Sequence, residues 1–338
     1  MLHTLLSFFD TLISNAQTTL YIHVLQPIFY RFDWMAYDED AYDALYWPLA
    51  ALVEIVLMYA LLRPLEALRP IERWNNRRAV RVDALYTWIT RLGLFNFFFF
   101  LLLQPLFDRL QAWAHLHGFE TRDLDNLWPG VTSQPLVAFL LYLVVLDFIG
   151  YWYHRLQHSI GVWWELHAVH HSQHQMSFWS DDRNHVLDDI LQSAVFALVA
   201  LAIGVEPSQF VALVLLGQVA QSIQHVNARL PFGPVLSRVV VSPTFHRRHH
   251  AIGLGHEGRY SGCNFGVLFP WWDMLFGTAS WSTEPVATGI REPKAGLGGR
   301  VHSYGEGFWA HQWLAFKRIG RRLAGRGRGD YTNREVSR

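Results

Sequence analysis

Six histidines lie within the 22 residues YHRLQHSIGVWWELHAVHHSQH, from position 153 to position 174. They include an H-x-x-x-H pair and an H-x-x-H-H box, and a second H-x-x-H-H box follows in FHRRHH. On a helix, side chains three or four residues apart share one face, about 5–6 Å from each other. Imidazole is the commonest protein ligand for metals. The spacing therefore predicts metal ligation by His154, His158, His167, His170, His171, His246, His249 and His250.

His225, in the segment QSIQHVN, is predicted as a ninth ligand. Nine imidazoles are too many for one ion, since zinc sites use about four ligands and an octahedral ion takes six, so two ions are expected. The single cysteine, Cys263, cannot by itself hold an iron–sulfur cluster or a thiolate zinc site. Neutral imidazole suits zinc, copper, iron and nickel, and the ligand type therefore leaves the ion open.

Further residues are candidates for ligating the metals or for orienting the imidazoles. Metal-bound histidine usually donates its other N–H to a carboxylate or a carbonyl. Asp147 lies on the same helical face as Tyr151, His154 and His158, which follow it at steps of four, three and four residues, and this position favours an orienting role. The alternative role for Asp147 is a helix cap or a buried partner of Arg91. The complete set of such candidates is His174, His185, Asp147, Asn264 and Asp273.

The elements that must position these histidines have the composition of a membrane protein. Hydrophobic residues make up 51% of the chain and charged residues only 17%. Apolar segments near the ~20 residues that cross a bilayer predict three spans, and two shorter runs separated by VEPS predict a helical hairpin. These segments are 45–62, 84–107 and 135–153 for the spans, 190–204 and 209–223 for the hairpin, and 4–30 for an interfacial helix. The sequence leaves open whether residues 4–30 cross the membrane.

Charge asymmetry predicts the orientation of the spans. Six arginines between 63 and 81 follow the first span, whereas acidic residues dominate after the second. By the positive-inside rule the first connection is cytoplasmic, so the third span returns to the cytoplasm just before His154. We therefore expect an all-α, multi-pass integral membrane bundle with a cytoplasmic, histidine-rich helical cap. Three regions are predicted: a membrane region 1–134, a catalytic domain 135–280 and a basic tail 281–338.

Several function classes are disfavoured by what the chain lacks. A zinc peptidase would carry H-E-x-x-H, and a carboxylate-type di-iron bundle would carry two E-x-x-H pairs, of which only the variant DRNH occurs. A zero net charge gives no sign of a nucleic-acid partner. The remaining reading is a membrane-bound dinuclear iron centre that activates oxygen beside a lipid. The alternatives are a histidine-rich, zinc-dependent membrane hydrolase, which leaves half of the ligands unexplained, and a metal transporter, which would place its site near the bilayer midplane.

Four segments in this order resemble the fatty acid hydroxylase and sterol desaturase superfamily: DFIGYWYHRLQHSIGVWWELHAVHHS, QHVN, SPTFHRRHH and NFGVLFPWWDMLFGT. The resemblance covers about residues 135 to 280. It implies a membrane di-iron oxygenase that hydroxylates or desaturates a lipid, with the nine histidines at the metal-binding positions. The chain departs from the family pattern at two places. The segment RNHV, residues 183–186, lacks a proline that is common in the family after the box at 167–171, and Gln221 stands where some members have histidine.

These readings imply cofactors and partners. Two iron ions, which zinc can replace in purified protein, and O2 as co-substrate are expected. The lipid substrate enters from the bilayer. The chain has no nucleotide-binding glycine fingerprint and no H-P-G-G segment, so an external ferredoxin or a cytochrome b5-type protein with its reductase must supply electrons. The sequence does not distinguish hydroxylation from desaturation, and it identifies neither the lipid nor the oxidised carbon.

Overall fold

The computed structural model is helical throughout the residues it describes, which contain no strand and a single antiparallel bridge between Ala251 and Thr288. It describes residues 2–93, 109, 112, 113, 115–118, 128–131, 133–256, 261–284, 286–290 and 304–324. For this part of the chain the predicted all-α class is confirmed. The α-helices are α1 Leu2–Leu20, α2 Gln26–Phe32, α3 Asp38–Ala44, α4 Tyr46–Leu68, α5 Arg77–Arg91, α6 Pro135–Ser159, α7 Gly161–His171, α8 Val186–Ala202, α9 Pro207–His225, α10 Gly233–Val239, α11 Pro243–His249, α12 Trp271–Leu275 and α13 Phe308–Leu323. Single π or 3-10 turns occupy Tyr21–Leu25, Met35–Tyr37 and Ser180–Asp182.

Two helical segments are long and apolar enough to cross a membrane, by length and composition. They are Ala41–Leu68, which contains α4, and Pro135–Ser159, which is α6, and each has a mean hydropathy of 1.9. These segments include the predicted spans 45–62 and 135–153. Helix α6 continues past 153 to Ser159, so His154 and His158 lie in the last two turns of the candidate span itself. The first histidine pair is thereby fixed to a rigid element.

The predicted second span, 84–107, is only partly described. Its first residues belong to α5, which begins earlier, at Arg77, because the side chain of Asn76 accepts hydrogen bonds from the N–H groups of Arg78 and Ala79. This helix is amphipathic and buries Asp83 and Arg91 inside the protein. Residues 94–107 lie outside the described residues, so the structure does not test this span.

The predicted hairpin is present as helices α8 and α9. Gly204, at φ +73°, sits in the turn between them, and Pro207 opens α9 at a position where its missing N–H costs nothing. The hydroxyl of Tyr142 on α6 donates to the Gly204 carbonyl at 3.1 Å, which fixes the turn against the candidate span. Helix α9 ends at His225. Among the described helices only the two segments named above qualify as spans, so membrane insertion of the hairpin stays a prediction.

A buried ion cluster joins four elements of the bundle. The guanidinium of Arg91 donates to Glu54 at 2.7 Å, to Asp181 at 2.6 Å and to Asp182 at 2.8 Å. It also donates to the Ser222 hydroxyl at 2.7 Å. These partners lie on α4, on the turn Ser180–Asp182 and on α9, whose last residue is His225. The cluster therefore helps to fix the helix that carries a predicted metal ligand.

Helix α13 packs on α7, the helix that carries His167, His170 and His171. Phe308 and Ala315 enter the same apolar cluster as Trp164 and Ala168. Glu165 of α7 accepts a hydrogen bond from Arg322 of α13 at 3.0 Å. The predicted basic tail is thus, in its described part, a helix that supports the histidine region from outside.

Candidate metal centre

The nine predicted histidines come from the ends of four helices. His154 and His158 end α6, His225 ends α9, and the two H-x-x-H-H boxes form the last turns of α7 and α11, with His250 directly after α11. Helices bring side chains at i and i+4 together, and the helix ends point into one space. All nine side chains are buried, none more than 8% exposed.

The imidazoles form two groups, each with ligand nitrogens within 4.8 Å of one another. The group of five comprises His154, His158, His167, His171 and His249, and the group of four comprises His170, His225, His246 and His250. Each H-x-x-H-H box divides between the groups. The box on α7 contributes His167 and His171 to the group of five and its middle histidine, His170, to the group of four. The box on α11 contributes His246 and His250 to the group of four and its middle histidine, His249, to the group of five. The boxes thereby interlock.

The distances between nitrogens match shared coordination. Nε2 of His246 lies 3.0 Å from Nε2 of His225 and 3.0 Å from Nε2 of His250. In the other group, Nε2 of His171 and Nε2 of His249 are 3.1 Å apart. Two nitrogens bound to one ion at about 2.0–2.1 Å would be roughly 2.9–3.4 Å apart for octahedral or tetrahedral angles. The side chains are thus already spaced as ligands.

Backbone carbonyls fix which nitrogen of three rings faces the centre. Nδ1 of His154 lies 2.9 Å from the carbonyl of Phe265, and Nδ1 of His249 lies 2.7 Å from that of Cys263. Nδ1 of His225 lies 2.8 Å from the Gln221 carbonyl. A carbonyl can only accept, so each Nδ1 carries the hydrogen and each Nε2 keeps its lone pair for a metal.

Burial also keeps these imidazoles neutral. It lowers the pKa of His170, His171, His246 and His250 well below the usual range of a histidine, and neighbouring imidazoles lower it further. Burial lowers the pKa of His249 to about 3, against the opposing effect of its hydrogen bond to Cys263. Neutral imidazole is the form that binds metal ions.

Asp147 touches no histidine directly, but it holds the loop that does. Its carboxylate accepts from the N–H of Leu268 at 2.7 Å, the N–H of Phe269 at 3.2 Å and the indole N–H of Trp272 at 2.8 Å. This loop continues from Phe265, whose carbonyl accepts from His154. The predicted orienting role is therefore indirect, and the alternative partner Arg91 is occupied by the cluster described above.

Asp273 and Asn264 hold the same loop from its other side. Asp273 accepts from the N–H groups of Phe265 at 2.8 Å and Gly266 at 2.7 Å. Asn264 adopts φ +59°, a left-handed conformation that asparagine tolerates, and its amide donates to the Phe245 carbonyl at 2.8 Å. Together they set the carbonyl groups that orient the imidazoles.

His174 and His185 lie outside both groups. Nδ1 of His185 accepts from the N–H of Leu187 at 3.1 Å, and its Nε2 lies 3.2 Å from the carbonyl of Gln312. Both nitrogens are thereby used, and His185 is the N-cap of α8. His174 is exposed and lies next to Gly289.

Two residues near the groups were missed from the sequence. Trp164 is buried, with its ring 5.0 Å from that of His158 and 5.3 Å from that of His171. Asp188 lies 3.5 Å from Nδ1 of His167 and accepts from Gln157 at 2.8 Å and Trp163 at 2.8 Å. The sequence offered one signal for Asp188: it belongs, with Asp189, to an acidic pair in the first turn of α8.

Replacing Asp188 by asparagine is expected to weaken metal binding about 10- to 100-fold, because His167 then loses the carboxylate beside its Nδ1. Metal titration of the metal-free protein in detergent, read by calorimetry, measures this affinity. Unchanged affinity for both ions would contradict the role of Asp188. A far-UV circular dichroism spectrum equal to that of the wild type serves as the control for folding.

A cavity of about 50 Å³ adjoins both histidine groups. Histidines of both groups and several side-chain amides line it. Its lining residues are Gly150, Tyr153, His154, Gln157, His167, His170, Asp181, Asn184, Gln192, Gln221, Gln224, His225, His246, Gly266 and Val267.

The donor set fits a pair of transition-metal ions. It consists of nitrogen atoms, which suit zinc, copper, iron and nickel rather than magnesium or calcium. Several buried nitrogens of the group of five have no hydrogen-bond partner among the described residues. Among them are Nε2 of His154, Nε2 of His167 and both nitrogens of His158. Buried polar atoms without partners are rare and costly, and a bound metal would satisfy them. Fold and site together define a helical protein with two adjacent histidine groups, each of which could hold a metal ion.

The amino-acid sequence is similar to one family profile and to several known proteins. Residues 139–278 match the sequence profile of the fatty acid hydroxylase family. The chain is 29% identical to human alkylglycerol monooxygenase over 56% of its length and 41% of that protein. It is 30% identical to ornithine lipid hydroxylase OlsE of Rhizobium tropici over 59% of its length and 56% of that protein. It is 26% identical to the Delta(7)-sterol 5(6)-desaturase ERG3B of Gibberella zeae over 42% of its length and 41% of that protein.

The family profile and these relatives support the fatty acid hydroxylase and sterol desaturase superfamily, which the histidine boxes predict. The chain spans about half the length of the curated relatives it matches, between 41% and 56% of the three above. No solved structure gives a significant match.

Proposed function

We propose that this protein is a membrane-bound di-iron oxygenase that hydroxylates a lipid, using O2 and electrons from a separate protein. The observation that carries the proposal is the convergence of nine buried imidazoles into two adjacent groups beside one cavity. A lipid hydrolase with a single zinc ion would leave one of the two groups without a task. The named relatives, a monooxygenase, a hydroxylase and a desaturase acting on lipids, support the same reaction class.

The residues of this chain have definite tasks in that reaction. The group of five and the group of four would each hold one ion, and two bound iron ions would supply the reducible centre at which O2 is activated for attack on a C–H bond. Phe265, Cys263 and Gln221 keep the Nε2 atoms of three ligands directed inward. Trp164 covers the group of five with an indole that resists entry of water.

The membrane position of the site is part of the proposal. The candidate span α6 carries His154 and His158 in its last turns, so the centre would lie at the membrane surface, on the cytoplasmic side by the positive-inside rule. Helix α13 supports this placement. Its face away from α7 exposes Trp309 at 74%, Trp313 at 68% and Leu323 at 72%, with the cations Lys317 and Arg321 nearby. Aromatic rings flanked by basic residues are typical of a helix lying in the interface.

A photo-reactive benzoylphenylalanine in place of Trp313 is expected to cross-link to phospholipid in native membranes. The same group in place of exposed Ser282 serves as the control, and we expect at least about 10-fold less lipid adduct there because no amphipathic helix carries it. Mass spectrometry of the irradiated protein measures the adducts. Equal labelling at the two positions would contradict an interfacial α13.

The external electron donor is expected to dock by charge. The exposed arginines that follow the first candidate span, Arg73, Arg77 and Arg81, lie on the proposed cytoplasmic side, and an acidic ferredoxin or cytochrome b5-type protein is complementary to them. Turnover with a purified acidic donor should then fall several-fold between about 0.05 M and 0.5 M salt, because the Debye length contracts. The rate with a small chemical reductant should not change over that range. A salt-independent rate with the protein donor would exclude charge-guided docking.

The reaction itself is tested on full-length protein purified without oxygen and supplied with iron. Metal content is measured first, and then O2, a reductant and total host lipid are added and the lipids are followed by mass spectrometry. About two irons per chain and a lipid that gains one oxygen atom would support hydroxylation; loss of two hydrogens would indicate desaturation instead. Two zinc ions, no iron uptake and an unchanged or hydrolysed lipid pool would overturn the oxygenase.

A further inference from the structure

The connection after the first candidate span, residues 69–76, is bonded to elements that carry histidines of the group of four. It begins after α4 and ends at Asn76, the N-cap of α5, and it lies outside residues 139–278, which match the family profile. The sequence predicts of it only that it is basic and cytoplasmic. Its one acidic residue, Glu72, is bonded to three distant segments of the chain.

Asn227 joins the backbone of Glu72 to the end of α9. This asparagine is two residues after His225 and is 2% exposed. Its Oδ1 accepts from the N–H of Glu72 at 3.1 Å, and its Nδ2 donates to the Glu72 carbonyl at 2.8 Å. The N–H of Asn227 donates to the carboxylate of Glu66 on α4 at 3.0 Å. Because one buried amide satisfies both backbone groups of Glu72, the turn that follows His225 has a fixed position on the connection.

The carboxylate of Glu72 joins the same connection to α11 and to the segment after α7. Its Oε1 accepts from Nη1 and Nη2 of Arg247, each at 3.0 Å, and from the N–H of Met176 at 3.2 Å. Arg247 follows His246 directly on α11, and its side chain is 8% exposed. Met176 is five residues after His171, the last residue of α7. Since an ion pair largely removed from water is screened less than a surface pair, this pair fixes α11 firmly to the connection.

The two histidine groups thus have different supports. The bonds of Glu72 reach the end of α9, α11 and the chain just after α7, and these elements carry all four ligands of the group of four. In the group of five, the ring of His154 is oriented by the carbonyl of Phe265. His249 also lies on α11, but its ring has a second support, since its Nδ1 lies 2.7 Å from the Cys263 carbonyl.

We infer that Glu72 is a positioning residue of the metal centre and that it holds the ligands of the group of four through Arg247 and Asn227. The inference rests on the two-ion centre of the proposed function, and it does not depend on which reaction that centre catalyses. The connection after the first candidate span is then part of the centre, although it lies outside the matched family region. Because the supports are separate, the two ions should respond separately to a change at Glu72.

Glu72→Gln keeps the size of the side chain and removes its charge, so it should weaken the binding of one ion about 10-fold and leave the other unchanged. The loss is modest because Glu72 acts through residues next to the ligands. Metal-free, full-length protein in detergent is titrated with Fe2+ in the absence of oxygen, and calorimetry measures the two affinities. Glu306→Gln is the matched control: it removes the same charge from an exposed ion pair with Arg78 and should change neither affinity. Wild-type affinities in Glu72→Gln, or equal losses for both ions, would overturn the inference.

A second substitution identifies the ion that is affected. His246→Gln removes a ligand of the group of four, so the ion that this variant keeps is that of the group of five. Adding Glu72→Gln should leave the affinity for the remaining ion within about 2-fold, because both substitutions act on the same ion. A further loss of about 10-fold would show that Glu72 supports both groups, and it would overturn the inference. Wild-type protein that binds fewer than two ions would count against the proposed function, and the inference would fall with it.

Arg247→Lys provides a variant that does not depend on the folding of Glu72→Gln. Far-UV circular dichroism shows whether Glu72→Gln is folded, and if it is not, Arg247→Lys decides in its place. Lysine keeps the positive charge but lacks the planar guanidinium that directs two N–H groups to the carboxylate. We expect a several-fold loss of affinity for the same ion. Unchanged affinity for both ions in this variant would overturn the inference.

Discussion

Replacing His246 by alanine is expected to lower the metal content from about two ions per chain to about one and to reduce lipid turnover by more than about 100-fold. Within the group of four, Nε2 of His246 lies 3.0 Å from Nε2 of His225 and 3.0 Å from Nε2 of His250. Its loss leaves three ligands for that ion, whereas the group of five is unchanged. Inductively coupled plasma mass spectrometry of the purified protein measures the ions.

Two further variants make this result specific. His246→Gln keeps most of the side-chain volume but removes the imidazole, so it should lose the ion as the alanine variant does. His174→Ala removes an exposed histidine that belongs to neither group and should keep both ions and full turnover. Retention of two ions in both His246 variants would contradict the assignment of the group of four.

The convergence of the nine histidines could be predicted because their spacing is a local, helical property. The H-x-x-x-H and H-x-x-H-H patterns fix which side chains share a face whatever the tertiary structure. The division of the boxes could not be predicted. His170 and His171 are neighbours in sequence but point about 100° apart on a helix, and only the packing of α7 against α6, α9 and α11 decides which group each ring joins.

The supporting residues were harder to predict, since their partners are distant in sequence. Asp147 was chosen for its place on the histidine face of α6, yet its carboxylate binds the backbone of Leu268, 121 residues away. A sequence gives the helical face of a side chain but not the loop that covers it. Asp188 was overlooked for the same reason, because its contact with His167 depends on how α8 packs against α7.

The candidate spans show both the strength and the limit of hydropathy. Segments 45–62 and 135–153 were recognised because apolar composition over a bilayer's length is a property of sequence alone. Helix α6 itself continues past 153 to Ser159, since polar residues at its end, among them His154 and His158, are buried in the protein. Burial among other helices, which hydropathy does not measure, replaces lipid there.

Replacing Arg91 by methionine is expected to destabilise the protein by about 3–5 kcal/mol, because a buried ion cluster that loses its only cation keeps three uncompensated carboxylates. Arg91 is 6% exposed, and its guanidinium makes four short contacts to Glu54, Asp181, Asp182 and Ser222. Denaturant titration of the protein in detergent measures the free energy of unfolding. Arg81→Met, at an exposed position of the same helix, should change it by less than about 0.5 kcal/mol.

The effect of Arg91 should extend to the metal centre through α9. Ser222 lies three residues before His225 on that helix, and Asp181 forms part of the cavity wall. Arg91→Met should therefore release metal at a lower temperature than the wild type. Arg91→Lys should be intermediate, since one ammonium keeps the charge but cannot reach all four partners in the guanidinium geometry. Adding Glu54→Gln to Arg91→Met removes one uncompensated charge and should recover part of the lost stability. If the double variant is no more stable than Arg91→Met, Glu54 is not part of the charge balance, and the cluster acts through Asp181 and Asp182 alone.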